Sequence, residues 1–179
     1  MSSRVRLFSA GQGPVEVSHD EAEARLGELG VLWSTLPPRP LRFGADPDEV
    51  LAAWRDVVED TRVEGAYQKV DVVSVHRPDE AQRALFREEH VHGDDETRLF
   101  TSGGGVFWIR GRGGEVWALA TIAGDLLSLP AGLAHGFDMG PQPRFTAVRF
   151  FQDPAGWSPQ TAPSNPSNRS DWPISWGLC

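Results

Sequence analysis

The run His90-Val-His92-Gly-Asp-Asp-Glu96 sets two imidazoles and a carboxylate within seven residues. Imidazole nitrogen and carboxylate oxygen, with no thiolate among them, suit iron(II), nickel(II), manganese or zinc, and an octahedral preference leaves positions open for substrate. Successive side chains of an extended strand point to opposite faces, so His90 and His92 share a face. Glu96 and Arg98 have the same parity and return to that face if the intervening turn keeps register. A fourth ligand is expected downstream, and His135 is the only later histidine. It follows Gly124-Asp-Leu-Leu-Ser-Leu-Pro-Ala-Gly132, whose Gly and Pro residues set a turn that aims it inward. One divalent metal is therefore expected on His90, His92, Glu96 and His135. The competing reading is a pair of surface histidines in an acidic loop with Asp94 and Asp95, and it leaves the third histidine unexplained. His19 and His76, flanked by charged residues, read as ordinary solvated histidines.

Ligands on separate segments need strands to bring them together. From Val70 onward short β-branched and apolar runs recur between glycine-rich turns. Strands are predicted at Val70–Val75, Glu89–His92, Thr97–Thr101, Gly105–Arg110, Glu115–Ala120, Asp125–Leu129, Ala134–Asp138 and Thr146–Phe151. That many short strands imply a sandwich or barrel. Ahead of them, Ser18-His-Asp-Glu21 has the form of a capping box and predicts a helix to about Gly30. Asp46-Pro47-Asp48-Glu49 predicts a second helix, with Val50, Leu51, Trp54, Val57 and Val58 on one stripe. Pro37-Pro38-Arg39-Pro40 reads as an extended connector between them. The expected organisation is one domain: a helical and extended segment over residues 1–69, a metal-binding barrel over 70–157, and a Pro/Ser/Asn-rich tail over 158–179. In that tail Trp172 and Trp176 argue for partial docking.

Composition narrows the function classes. A net charge of -8 with no Lys/Arg run repels phosphate backbones and anionic bilayers, so neither nucleic acid nor membrane is an expected partner. Cys179 is the single cysteine, which agrees with a reducing compartment, and no secretory or membrane-spanning segment is read in the sequence. A cytoplasmic monomer is the expectation. Seven Trp and nine Phe supply core material, to which Trp54, Trp108 and Trp117 are assigned.

Three ordered blocks resemble the acireductone dioxygenases, the bacterial ones in particular. They are Glu89-His-Val-His-Gly-Asp-Asp-Glu-Thr-Arg98, then Gly124 to His135, then Phe137-Asp-Met-Gly140 with Phe145-Thr-Ala-Val-Arg149. The resemblance extends from the first helix to Trp157. It implies a mainly β cupin fold, a double-stranded β-helix (jelly-roll barrel) with flanking N-terminal helices. It also implies iron(II) or nickel(II) on His90, His92, Glu96 and His135, with no organic cofactor, and oxidative cleavage of a small chelated enediol by O2 in methionine salvage. In that family iron yields a 2-oxo acid and formate, and nickel yields a carboxylic acid, formate and carbon monoxide. Arg98 and Arg149 are implied as cations at the substrate, Phe86 and Phe137 as apolar walls, and Glu89 as a base. The odd parity of Glu89 directs it away from the metal unless the strand twists or bulges.

Two positions depart from the family pattern. Gly136 replaces a bulkier or hydroxyl-bearing residue, and Thr101-Ser-Gly-Gly-Gly105 replaces a glutamate-containing turn. An enlarged or reshaped pocket is the expectation. It leaves open a divergent cupin oxidase acting on another small substrate such as a thiol amino acid, and a non-catalytic ligand-binding cupin.

Overall fold

The computed structural model describes residues 4–77 and 79–162. Within them two antiparallel sheets face each other. One has seven strands in the order β12-β5-β10-β7-β8-β1-β2, the other five in the order β3-β9-β6-β11-β4. The strands are β1 (Val5–Phe8), β2 (Val15–Val17), β3 (Leu32–Thr35), β4 (Lys69–Val75), β5 (His90–Val91), β6 (Glu96–Ser102), β7 (Val106–Arg110), β8 (Val116–Ala120), β9 (Asp125–Leu129), β10 (His135–Asp138), β11 (Phe145–Phe151) and β12 (Gln160–Thr161). All eight predicted strands are present, from β4 to β11. The short strands β1, β2, β3 and β12 are additions: β1 pairs with β8, β3 with β9, and β12 with β5. This is the mainly β architecture expected. Trp172, Trp176 and their expected docking lie outside the described residues, as does Cys179.

The interior between the sheets follows strand alternation. Phe100 on β6, Phe107 and Ile109 on β7, Trp117 and Leu119 on β8, Phe137 on β10, and Phe145 and Ala147 on β11 form one buried cluster. Each fully buried side chain of this size contributes roughly 1.5–3 kcal/mol. The opposite face of the five-stranded sheet presents Leu99, Val148 and Phe150 to Val50, Trp54 and Tyr67, a second cluster. Trp108, Val116 and Ala118 form a third on the outer face of the seven-stranded sheet.

The helices are α1 (His19–Gly27), α2 (Pro47–Ala53), α3 (Arg55–Glu64) and α4 (Glu80–Arg87). Ser18 caps α1 by accepting the Glu21 amide, and Asp46 with Glu49 forms a reciprocal capping box on α2. The second predicted helix is broken in two. At Trp54 the backbone turns to φ -112° and ψ 19°, because its indole is driven wholly into the second cluster, where the Arg39 guanidinium stacks on it at 4.6 Å. Arg39 also forks onto Asp56 at 2.6 and 2.8 Å, tying the proline-rich connector to α3. α4 has no counterpart among the predicted elements. Its start is written locally, since Asp79 accepts the Gln82 amide. Among the described residues no helix is long and apolar enough to cross a membrane.

Candidate metal centre

The two sheets bring the donors together. His90 and His135 are cross-strand partners of β5 and β10, and His92 lies two residues beyond His90. Glu96 opens β6 in the opposite sheet. One donor atom from each of the four side chains lies within 4.8 Å of the others. The three imidazole rings stand 4.6–5.3 Å apart, as the shared parity of His90 and His92 requires.

The hydrogen bonds around this group test its fitness for a cation. His135 Nδ1 is 2.7 Å from the Leu133 carbonyl and its Nε2 is 3.1 Å from Glu96 Oε2. Both partners are acceptors, whereas a neutral imidazole has one N–H. The carbonyl fixes the proton on Nδ1, so the Nε2 lone pair faces a carboxylate oxygen. That approach is favourable only with a second proton or a metal ion between them. His90 is set the same way, its Nδ1 2.6 Å from the Glu88 carbonyl. Such bonds orient metal-binding imidazoles. Burial, then His135, lowers His90 to about 4, leaving its lone pair free at neutral pH. His92 Nε2 is 2.8 Å from Glu96 Oε2, and its buried Nδ1 has no hydrogen-bond partner among the described residues. Separations near 3 Å are those of adjacent ligands on an ion with bonds of about 2.1 Å. Burial would raise the Glu96 carboxyl, but Arg98 and the His135 and His92 contacts hold it well below the usual carboxylate range. The residues fit a divalent metal.

A cavity of about 140 Å³ opens beside the donors. Its polar end is His90, His92, Glu96, Arg98 and Arg149; its apolar end is Leu85, Phe86, Phe137, Trp157 and Pro159. Arg98 and Arg149 are cross-strand partners on β6 and β11. Arg98 Nη2 is 2.7 Å from Glu96 Oε1, off the line of a hydrogen bond, and its guanidinium stacks 5.2 Å from both Phe137 and Trp157. Burial lowers Arg98 from its ordinary value, with Glu96 opposing. Arg149 forks onto Asp71, its partner on β4, with both bonds at 2.8 Å. A larger groove of about 590 Å³ lies on the other face of β6, against Tyr67 and Thr97. It contains no cluster of metal-type donors among the described residues; the one such group among them lies at the smaller cavity.

Phe86, Phe137, Arg98 and Arg149 are thus brought to one cavity with the four donors. Glu89 is not. It is buried on the opposite face, where Arg110 Nε and Nη2 donate to its two oxygens at 2.8 and 3.0 Å. The expected pocket enlargement is not found. Gly136 pairs with Trp108 on the outer face of the sheet, because a residue next to the inward-facing His135 must point outward. The Thr101–Gly105 turn does not line the cavity either. A Cβ on Gly105 would stand 2.4 Å from the Phe137 ring, so this glycine makes room for that wall. Leu85, Trp157 and Pro159 escaped the sequence reading. They belong to a helix end and an irregular segment, which carry no periodic signal. Asp71 had one, as the lone acidic residue in a valine-rich strand.

Comparison with known proteins agrees with this geometry. The model of the ARD/ARD' family matches residues 41–159. An acireductone dioxygenase of Synechococcus sp. is 41% identical over 86% of this chain and 84% of its own. That of Hahella chejuensis is 38% identical over 82% of each. Among solved structures, acireductone dioxygenase from Bacillus anthracis, with a cadmium ion in its active centre, superposes with a TM-score of 0.75 at 26% identity, covering 89% of this chain and 99% of its own. A cupin-type β fold, a His-His-Glu-His metal-binding group and this extent of identity place the chain in the acireductone dioxygenase (ARD/ARD') family.

Proposed function

We propose that the protein is a metal-dependent acireductone dioxygenase that cleaves a small chelating enediol with O2 in methionine salvage, in the cytoplasm. One observation carries this reading. The donors of His90, His92, Glu96 and His135 converge at the end of a small cavity whose walls hold the two guanidinium groups of Arg98 and Arg149. The volume corresponds to roughly five waters at ~30 Å³ each. A compact anion fits it.

The proposed cofactor is one iron(II) or nickel(II) ion held by those four residues. When bound it would supply a Lewis acid that polarises the enediol and favours its deprotonated form. The rest is done by the chain. Arg98, fixed by Glu96 and by three aromatic faces, presents a preorganised positive charge to the enediolate and needs no reorganisation as charge develops. Arg149, held at its far side by Asp71, orients the same anion from the adjacent strand. Phe86, Phe137 and Trp157 exclude water from the site of carbon–carbon cleavage. Glu89 braces the strand entering His90 through Arg110 and acts as a positioning residue. Oxidation of a thiol amino acid was suggested by an opened pocket, and with Gly136 on the outer face no feature of the cavity favours it.

Oxygen consumption by protein reconstituted with iron(II) or nickel(II) tests the proposal. Uptake is expected with an acireductone generated in situ and not with cysteine. Uptake with cysteine alone would transfer the assignment to thiol oxidation, and none with either would favour a binding protein.

A further inference from the structure

The apolar wall of the cavity is carried by a helix whose own packing is thin. α4 contributes Leu85 and Phe86 to the lining, yet none of its residues is fully buried and Leu85 is 55% exposed. A helix of two turns has little stability of its own and depends on what it is fastened to. The fastening is ionic. Arg83 donates from Nε and Nη2 to the two carboxylate oxygens of Asp138 at 2.7 and 3.1 Å, and Arg87 Nε lies 3.4 Å from the same carboxylate. Arg83 and Arg87 are one helical turn apart, and Phe86 is three residues from Arg83 on the same helix. Asp138 directly follows Phe137, the facing wall on β10, and is itself held by the Gly140 amide at 2.8 Å. One carboxylate therefore ties the strand bearing Phe137 to the helix bearing Phe86. Both ion-pair side chains are largely shielded, at 19% and 15% exposure, so water screens the fork weakly.

We propose that Asp138 is a positioning residue: by gripping Arg83 and Arg87 it closes the Leu85–Phe86 wall over the cavity and so sets which side chain on the enediol is accepted. The proposal rests on reading the cavity as an enediol site. None of Arg83, Arg87 and Asp138 is among the four metal donors, so metal content can be read separately from the state of the apolar end.

The test compares Asp138→Asn, which keeps the shape and removes the charge, with Asp138→Glu, which keeps the charge. Arg83→Gln breaks the same fork from the helix side and serves if Asp138→Asn does not fold. Two quantities are read on metal-loaded protein: hydrogen exchange of the amides of residues 80–87, and the ratio of kcat/KM for an acireductone with a short apolar side chain to that for one without. In Asp138→Asn or Arg83→Gln, exchange in α4 is expected to rise at least about tenfold while β11 and metal content stay unchanged. The kcat/KM ratio should fall roughly fivefold or more, mostly through KM, and Asp138→Glu should restore it. Because the ratio is taken per loaded enzyme, simple instability does not move it. Unchanged exchange and an unchanged ratio, or equal effects in Asp138→Glu, would overturn the proposal. Absence of turnover by the unaltered protein with either enediol would retire the enediol reading instead, and exchange would then decide whether Asp138 holds the wall.

Discussion

The two ends of the barrel interior are built from the same strands and do opposite things. On β6, Phe100 points into a cluster of Phe107, Phe137 and Phe145, with ring centroids 5.9–6.3 Å away. Two and four residues earlier on the same face stand Arg98 and Glu96. At the aromatic end burial needs no partner. At the donor end it is tolerated because the Glu96 carboxylate meets the Arg98 guanidinium at 2.7 Å, with the His92 and His135 rings at 2.8 and 3.1 Å. Even so, His92 Nδ1, Glu96 Oε1 and Arg98 Nε remain without hydrogen-bond partners among the described residues, all at this end. These three side chains all line the one cavity, so their open polar atoms are available there to a ligand.

Breaking the donor end should have the largest effect. Glu96→Ala removes a ligand and leaves Arg98 as an uncompensated buried charge, so bound metal by elemental analysis should fall to background and stability should drop by about 3–5 kcal/mol. Metal retained in both Glu96→Ala and His135→Ala would defeat the ligand assignment. At the aromatic end, Phe100→Ala should also destabilise by about 3–5 kcal/mol in denaturant titration. There the surviving folded protein should keep its metal, and loss of metal would mean the two ends are not separable. Arg98→Ala sharpens the contrast within the donor end. Metal content should stay near one ion per chain, while kcat/KM falls about 10²–10³-fold, as for loss of a preorganised charge; turnover within a few-fold of the unaltered enzyme would remove Arg98 from the chemistry. The smallest effect is expected for Glu89→Gln. As a brace it should reduce stability by about 1.5–3 kcal/mol with kcat per loaded enzyme preserved. A fall of about 10²–10⁴ in kcat would assign it the base role instead.

Much of this contrast was legible in the sequence because it depends on alternation. The shared face of His90 with His92, the return of Glu96 and Arg98, and the outward direction of Glu89 all follow from period two. Where alternation gives way to irregular chain, reading failed. The break at Trp54 arises from the pull of a buried indole, and Leu85 and Pro159 reach the cavity from a helix end and from the chain beyond Trp157. The strands β1, β2 and β3 are short and partly exposed, so their pattern is weak until β8 and β9 offer them an edge.

Gly136 shows the same division. Its departure from the family pattern suggested an opened pocket, although its place beside His135 already required it to face outward. By itself the sequence determined which donors exist, which strand face each occupies and to which family the motifs point, for these are properties of local spacing. Only the tertiary structure decided that β5 and β10 of one sheet stand opposite β6 of the other, that Asp71 anchors Arg149, that Arg110 takes Glu89, and that Asp138 grips α4. Those pairings join residues far apart in the chain, and burial and sheet closure select them where the local backbone pattern is indifferent.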